Sequence, residues 1–372
     1  MNQILLFIGL VIILCLTIKP VGKKLPFPTL LIFIALGMLL GINGPAHIDF
    51  SDYALTETVC STALLFIMFY GGFNTNIDRA KPVAVPAVLL STLGVVITAG
   101  ITGAFAHFAL GFDWIGGLLL GSVVASTDAA SVFSVLREHS LSLRGGTDSL
   151  LEVESGSNDP VAYMLTAVLA TLAAGGDINI PVLLAKQIIL GVGLGLAIGW
   201  TSSRLIERAH ATAEGAQTIF LFAVAIVAYA LPSYLGGNGF LAVYLAGIVL
   251  GASDITGKVE LAHFFDTLTE MAEMTIFFLL GLLVTPARLP QMLLPGLALM
   301  AFMLFVSRPI AVGLLLAPFK TSPRQVALVS WAGLRGAASV VFSLFAVVAG
   351  VPGGHDLFDL VFVIAVSSIV VQ

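Results

Sequence analysis

One apolar run after another, each long enough to cross a bilayer, fills this chain from residue 3 to its end. A hydrocarbon core needs about 20 apolar residues per helix, and every backbone polar group inside it must be satisfied within the protein. The runs predict about thirteen membrane helices, at 3–18, 26–42, 54–73, 83–110, 114–136, 147–174, 181–205, 216–234, 240–252, 261–284, 290–316, 323–350 and from 357 onward. The expected fold class is an all-α polytopic membrane protein. Of the 372 residues, 58% are hydrophobic and 10% are charged, against about 25% charged in a soluble domain. No stretch is polar and long enough for a separate soluble domain. Met1-Asn2-Gln3 lacks the positive segment of a cleaved leader, so the first run is expected to stay as a helix. The last run reaches Gln372 in mid-helix, so a cytoplasmic tail is expected to be absent from this chain.

The basic residues set an orientation. Twelve of sixteen fall at alternate loops: Lys19, Lys23, Lys24, Arg79, Lys81, Arg137, Arg144, Arg204, Arg208, Lys258, Lys320 and Arg324. Lys186 and Arg288 lie on the other side, and Arg308 and Arg335 lie inside spans. Cytoplasmic loops carry the excess of Lys and Arg, which puts the N-terminus outside. Cys15 and Cys60 both fall in apolar runs and read as small core residues, with neither a disulfide nor a metal site expected.

The sixth span carries Glu154-Ser155-Gly156-Ser157-Asn158-Asp159-Pro160. A carboxylate at membrane depth costs about 2.5–3.5 kcal/mol on insertion scales and marks an ion, proton or substrate pathway. Residues four apart share a helix face, so Ser155 and Asp159 line one face and Glu154 and Asn158 the next. Carboxylate, hydroxyl and carbonyl oxygens are what an alkali cation needs in place of its water shell. Asp159 also holds a proton. A carboxylate that takes either a proton or a cation, but not both, is the least machinery that exchange requires. Pro160 removes a backbone donor and loosens the helix there.

Span five is interrupted at Ser126-Thr127-Asp128, and span twelve at Gly333-Leu334-Arg335-Gly336. Corresponding interruptions in oppositely directed halves point to an inverted-repeat transporter with a midplane site. The repeats would run over 26–174 and 240–372, joined by linker helices at 181–234, as one exchanger domain over 1–372. A break frees backbone carbonyls that can face a cation, and Asp128 and Arg335 can offset the charges of the half-helix ends. Buried Arg308 needs a counterion or must snorkel to an interface, and Glu154 is its natural partner. The glycines at 116, 117, 191, 193, 195 and 199 read as close helix packing. Glu57, Asp266, Glu270 and Glu273 suit span ends, an access funnel or a dimer contact. No histidine is expected to be catalytic; His210 and His263 are left open to pH sensing.

Ser126-Thr127-Asp128, Glu154-Ser155 with Asn158-Asp159, Ser307-Arg308-Pro309 and Gly333-Leu334-Arg335-Gly336-Ala337 stand in this order in spans five, six, eleven and twelve. Together they resemble the electroneutral NhaP/NHE branch of the cation/proton antiporter superfamily, closest in texture to bacterial potassium/proton antiporters. The resemblance implies two crossed, broken helices, a homodimer in a lipid bilayer, and a core that moves as an elevator against a dimerisation domain. It implies that Asp159 is the shared ligand of a proton and an alkali cation, K+ favoured over Na+. Ser155 and the Thr127 carbonyl would join it, with Asn158 and Asp128 beside them. It further implies a Glu154–Arg308 structural pair, charge balance by Arg335, one-for-one exchange, and a bacterial inner-membrane location serving pH homeostasis. Neither a cofactor nor a nucleic acid is expected. Two departures stand out: Ala129 where proline often follows Thr-Asp, and Tyr70 where an acid often precedes Gly71-Gly72. Within this reading Na+/H+ antiport is the alternative. An intramembrane aspartyl protease using Asp128 and Asp159, or an ion channel, are remote ones, since Asn158 and Arg335 suit a protease poorly and a single titratable ligand suits a carrier.

Overall fold

A computed structural model of the chain describes residues 9–10, 12–17, 29–42, 44–45, 47–128, 143–209 and 214–371. The second half of span five, with Ala129, Arg137 and His139, lies outside these residues, as do Lys19, Lys23, Lys24 and His210.

The described chain is helical, and its strand-like pairing is confined to one isolated bridge between Gly41 and Ile48. The first half holds α1 (Thr29–Leu40), α2 (Tyr53–Asn74), α3 (Ile77–Leu110), α4 (Trp114–Val123) and α5 (Thr147–Ala173). Next come α6 (Ile180–Ala209), α7 (Glu214–Tyr234), α8 (Gly239–Ala252) and α9 (Lys258–Leu283). The last part holds α10 (Leu289–Phe319), α11 (Pro323–Trp331), α12 (Ala337–Val348) and α13 (Gly354–Val371). Among the described residues, six helices are long and apolar enough to cross a membrane: α2, α3, α6, α7, α10 and α13. Helices α5 and α9 have the length, 27 and 26 residues, but carry several acids.

Local chemistry sets the helix ends. The Asp113 carboxylate accepts from the Ile115 and Gly116 amides and starts α4, and Asn238 accepts from Leu241 to start α8. Such side-chain oxygens satisfy amides that have no partner inside the helix. Ser322 does the same for α11, with Pro323 in the first turn. Gly145 and Gly146, at φ 71° and 69°, turn the chain into α5 through a left-handed conformation that other residues resist.

Two spans do not run through. Helix α4 ends at Val123 and the chain is non-helical from Val124 to Asp128. Helix α11 ends at Trp331, and Ala332 to Gly336 are non-helical before α12 begins. The spans preceding these breaks, α3 and α10, each contain a wide π-helical turn, Leu90–Gly94 and Met303–Ser307. Pro309 lacks the N–H that would close the helical turn on Phe305. In α3, Ser91 and Thr92 both donate to the Val88 carbonyl and compete with the helical ladder.

Packing sorts the helices into two groups. Helices α3, α4, α5 and α10 to α13 pack mainly on one another, and α1, α2 and α6 to α9 form a second group. Contacts between the groups run mainly through α2 against α12 and α5 against α8, with α9 also meeting α12 and α6 meeting α5. Lipid gives no hydrophobic drive for helices to associate, so close backbone approach must supply the attraction. A Cβ on Gly103 would lie 2.8 Å from the Leu118 Cα, so α3 and α4 touch along their main chains. Gly117, Gly191, Gly195 and Gly199 are used in the same way, whereas Gly193 faces open space.

Candidate functional site

The polar segment of the sixth span is a continuous part of α5, and Glu154, Ser155, Asn158 and Asp159 are all buried in it. The first break lies along this helix and is stitched to it by three side chains. Ser126 Oγ donates to Asp159 Oδ1. Ser155 Oγ donates to the Thr127 carbonyl at 2.7 Å. Asn158 Nδ2 donates to Thr127 Oγ1. The structure thus brings Thr127, Ser155, Asn158 and Asp159 together. Asn158 Oδ1 is buried and has no hydrogen-bond partner among the described residues.

The second break meets the first from the other side. The Asp128 amide donates to the Leu334 carbonyl at 2.8 Å. Arg335 Nη1 donates to the carbonyls of Ser126 at 2.8 Å and Ala125 at 3.2 Å. The Arg335 amide donates to Ser368 Oγ at 3.0 Å on α13. A side chain on Gly336, which precedes α12, would overlap the Asp128 carboxylate. Two of the half-helix ends therefore face a charge of the opposite sign. The cation of Arg335 sits where the chain leaves the C-terminus of α4, and the anion of Asp128 sits at the N-terminus of α12.

Glu154 faces away from the break toward α10. Arg308 Nη2 donates to both of its carboxylate oxygens, at 2.8 and 2.9 Å, and the two side chains are 2% and 1% exposed. The turn carrying Arg308 is fixed by Ser307, which is bonded to the Thr98 carbonyl at 3.1 Å and to Thr102 Oγ1 at 3.0 Å on α3. Arg308 does not snorkel.

A carboxylate, three hydroxyls, an amide and a main-chain carbonyl thus converge at a helix break, with Glu154 paired to Arg308 beside it. Residues 9–372 match the model of a family described as sodium/hydrogen exchanger, transmembrane. The chain belongs to the sodium/hydrogen exchanger family. This is a family of membrane-spanning cation/proton antiporters, which are transporters rather than enzymes, so a protease is set aside.

The chain is 39% identical over its whole length to the K(+)/H(+) antiporter NhaP2 of Shewanella sp. (strain ANA-3). It is 37% identical over its whole length to the K(+)/H(+) antiporter NhaP of Alkalimonas amylolytica. It spans 65% of the length of each of these curated relatives. A more distant relative is the Na(+)/H(+) antiporter 1 of Methanocaldococcus jannaschii, 26% identical over 93% of this chain and 83% of the relative. The fold matches that of the sodium proton antiporter MjNhaP1 from Methanocaldococcus jannaschii at pH 8, with a TM-score of 0.84 at 22% identity over 99% of this chain and 98% of that one.

Other polar residues of the chain pair outside this constellation. Tyr70, at the position where the third span departs from the family pattern, donates its hydroxyl to Asp266 on α9 at 3.0 Å. An acid is thus brought beside that position from another helix. Glu57 accepts from Ser61 at 2.9 Å in α2. His107 stacks on Trp114 and bonds the Phe112 carbonyl at 2.6 Å, and His355 meets the edge of Tyr53. Cys15 and Cys60 are buried free thiols. Sequence reasoning did not find the bond from Ser126 to Asp159 or that from Arg335 to Ser368, because hydroxyls in apolar helices are common and carry no signal of their own.

Proposed function

We propose that this exchanger trades one monovalent cation for one proton, with Asp159 as the ligand of both. The observation that carries this reading is the placement of the Asp159 carboxylate beside the 124–128 break, bonded to Ser126 and one turn from Ser155, which itself bonds the Thr127 carbonyl. The cation would take Asp159, Ser155, Thr127 and the Oδ1 of Asn158 as oxygen ligands, with Asp128 adjacent. These are the ligands that suit a hard alkali cation. Ser126 can follow either state. Its hydroxyl donates to an ionised Asp159 and can accept from a protonated one.

Charge accounting supports electroneutral exchange. Glu154 and Arg308 cancel, and Arg335 and Asp128 face helix ends of opposite sign. Asp159 is neutral overall whether it holds a proton or a monovalent cation, so the loaded site carries the same charge in both directions. Potassium is favoured over sodium because relatives matched over the whole chain are named K(+)/H(+) antiporters. Sodium remains the second reading, since the same oxygen types serve both ions and the Methanocaldococcus relative is named for sodium.

The proposed architecture has about thirteen membrane helices in one exchanger domain, with inverted repeats over 26–174 and 240–372 and linkers at 181–234. Two observations support the repeats: the breaks near Thr127 and Arg335 meet, and the span before each contains a π-helical turn. The packing groups suggest an elevator in which α3 to α5 with α10 to α13 move against the remaining helices. A homodimer in the bacterial inner membrane, N-terminus outside and serving pH homeostasis, completes the reading. The test is cation-induced proton flux in proteoliposomes, with lithium, sodium, potassium and rubidium in turn. Coupled flux largest with potassium is expected; flux without saturation would point to a channel.

A further inference from the structure

The helix that carries Asp159 is tied to the other helix group by a residue outside the ion site. Asn238 is 1% exposed at the start of α8. Its Nδ2 donates to the Pro160 carbonyl at 2.7 Å, next in sequence to Asp159. Its Oδ1 accepts from the Leu241 amide at 3.0 Å, and its own amide donates to the Gln187 carbonyl at 3.1 Å on α6. Asn238 is thus anchored in the second group on two sides and reaches across to the first with its remaining donor.

One turn earlier on α5, Gly156 presses on Tyr244, two turns further along α8. A Cβ on Gly156 would lie 2.7 Å from Tyr244 Cε2 and 3.1 Å from Cζ. Pro160 has no N–H to offer the Gly156 carbonyl. The turn from Gly156 to Pro160 therefore presents the ion ligands on one face and rests on α8 with the other.

We propose that Asn238 is a positioning residue, a latch that holds the site helix against α8 in this conformation and releases when the core moves. The proposal rests on the elevator reading above. A hydrogen bond weakens steeply with distance and angle, so a bond between two groups that slide past each other cannot persist in both end states. It therefore favours the state in which it forms. Gly156 has a matching part, because only a residue without a side chain lets α5 seat against Tyr244.

The variant Asn238→Ser keeps a side-chain oxygen able to cap α8, but is too short to reach Pro160. Gly156→Ala disfavours the same seating by bulk, and Tyr244→Ala added to it restores room. Half-saturating cation concentrations are measured separately in right-side-out and everted vesicles. Losing the latch shifts the balance between the two end states, so the apparent affinity should fall on one face and rise on the other. The larger of the two changes should be about threefold to tenfold, the worth of one net hydrogen bond. Gly156→Ala should shift both faces in the same sense as Asn238→Ser, and the Tyr244→Ala background should reverse its effect. Damage to the ion site or to folding would weaken both faces together. Unchanged values, or values moving the same way on both faces, would overturn the latch. Absence of coupled exchange in the unmodified protein would instead overturn the transport reading on which it rests.

Discussion

Arg308 gives both of its short contacts with Glu154 from a single nitrogen, Nη2, while its Nε is buried and has no partner among the described residues. The two charges lie 154 positions apart in the chain and join α10 to α5 directly behind the ion ligands. Removing one member of a buried pair leaves the other charge uncompensated, which costs about 3–5 kcal/mol. Glu154→Gln and Arg308→Ala should each lower the melting temperature of the purified protein. The double variant should lose less than the sum of the two. Full additivity would mean that the pair contributes nothing as a pair.

Ser155→Ala should keep the fold and weaken cation binding. It removes the hydroxyl that bonds the Thr127 carbonyl and stands beside Asp159. A lost ligand of this kind is worth about threefold to tenfold in half-saturating concentration. The measurement is the Michaelis constant for potassium at fixed alkaline pH. An unchanged constant would take Ser155 out of the ligand set.

Much of this arrangement was legible in the sequence. Carboxylates, arginines and amides inside apolar runs stand out because membrane depth makes them expensive. The pairing of Glu154 with Arg308 followed from the need of a buried guanidinium for a counterion. The breaks at Thr127 and Arg335 were visible as polar, glycine- or serine-containing interruptions. What stayed hidden depends on how helices seat against one another. Asn238 carries no signal of its own in the sequence, and its bond to Pro160 exists only because α8 packs against α5 there.

Exchange should not respond to voltage. Each loaded form of the site is neutral at Asp159, so clamping proteoliposomes at different potentials, with an ionophore for an ion that is not transported, should leave the driving force unchanged. A potential that moves the cation uphill would require a second proton carrier, with Asp128 or Glu154 the first to examine.

Asp159→Asn should abolish coupled proton flux while leaving a protein that purifies as a folded species. The amide keeps the shape and can still accept from Ser126, but it cannot cycle a proton. Robust exchange in this variant would move the central role to another residue.

The most direct test of the shared ligand is the apparent Michaelis constant for the cation over a series of pH values. Proton and cation compete for one carboxylate, so the site must lose its proton before the cation binds. Over the acid part of the range the constant should rise about tenfold for each unit that the pH falls, while the maximal rate extrapolated to saturating cation holds until proton release becomes limiting. A constant that stays fixed across the series would place the two ions on separate sites and contradict the single-carboxylate account.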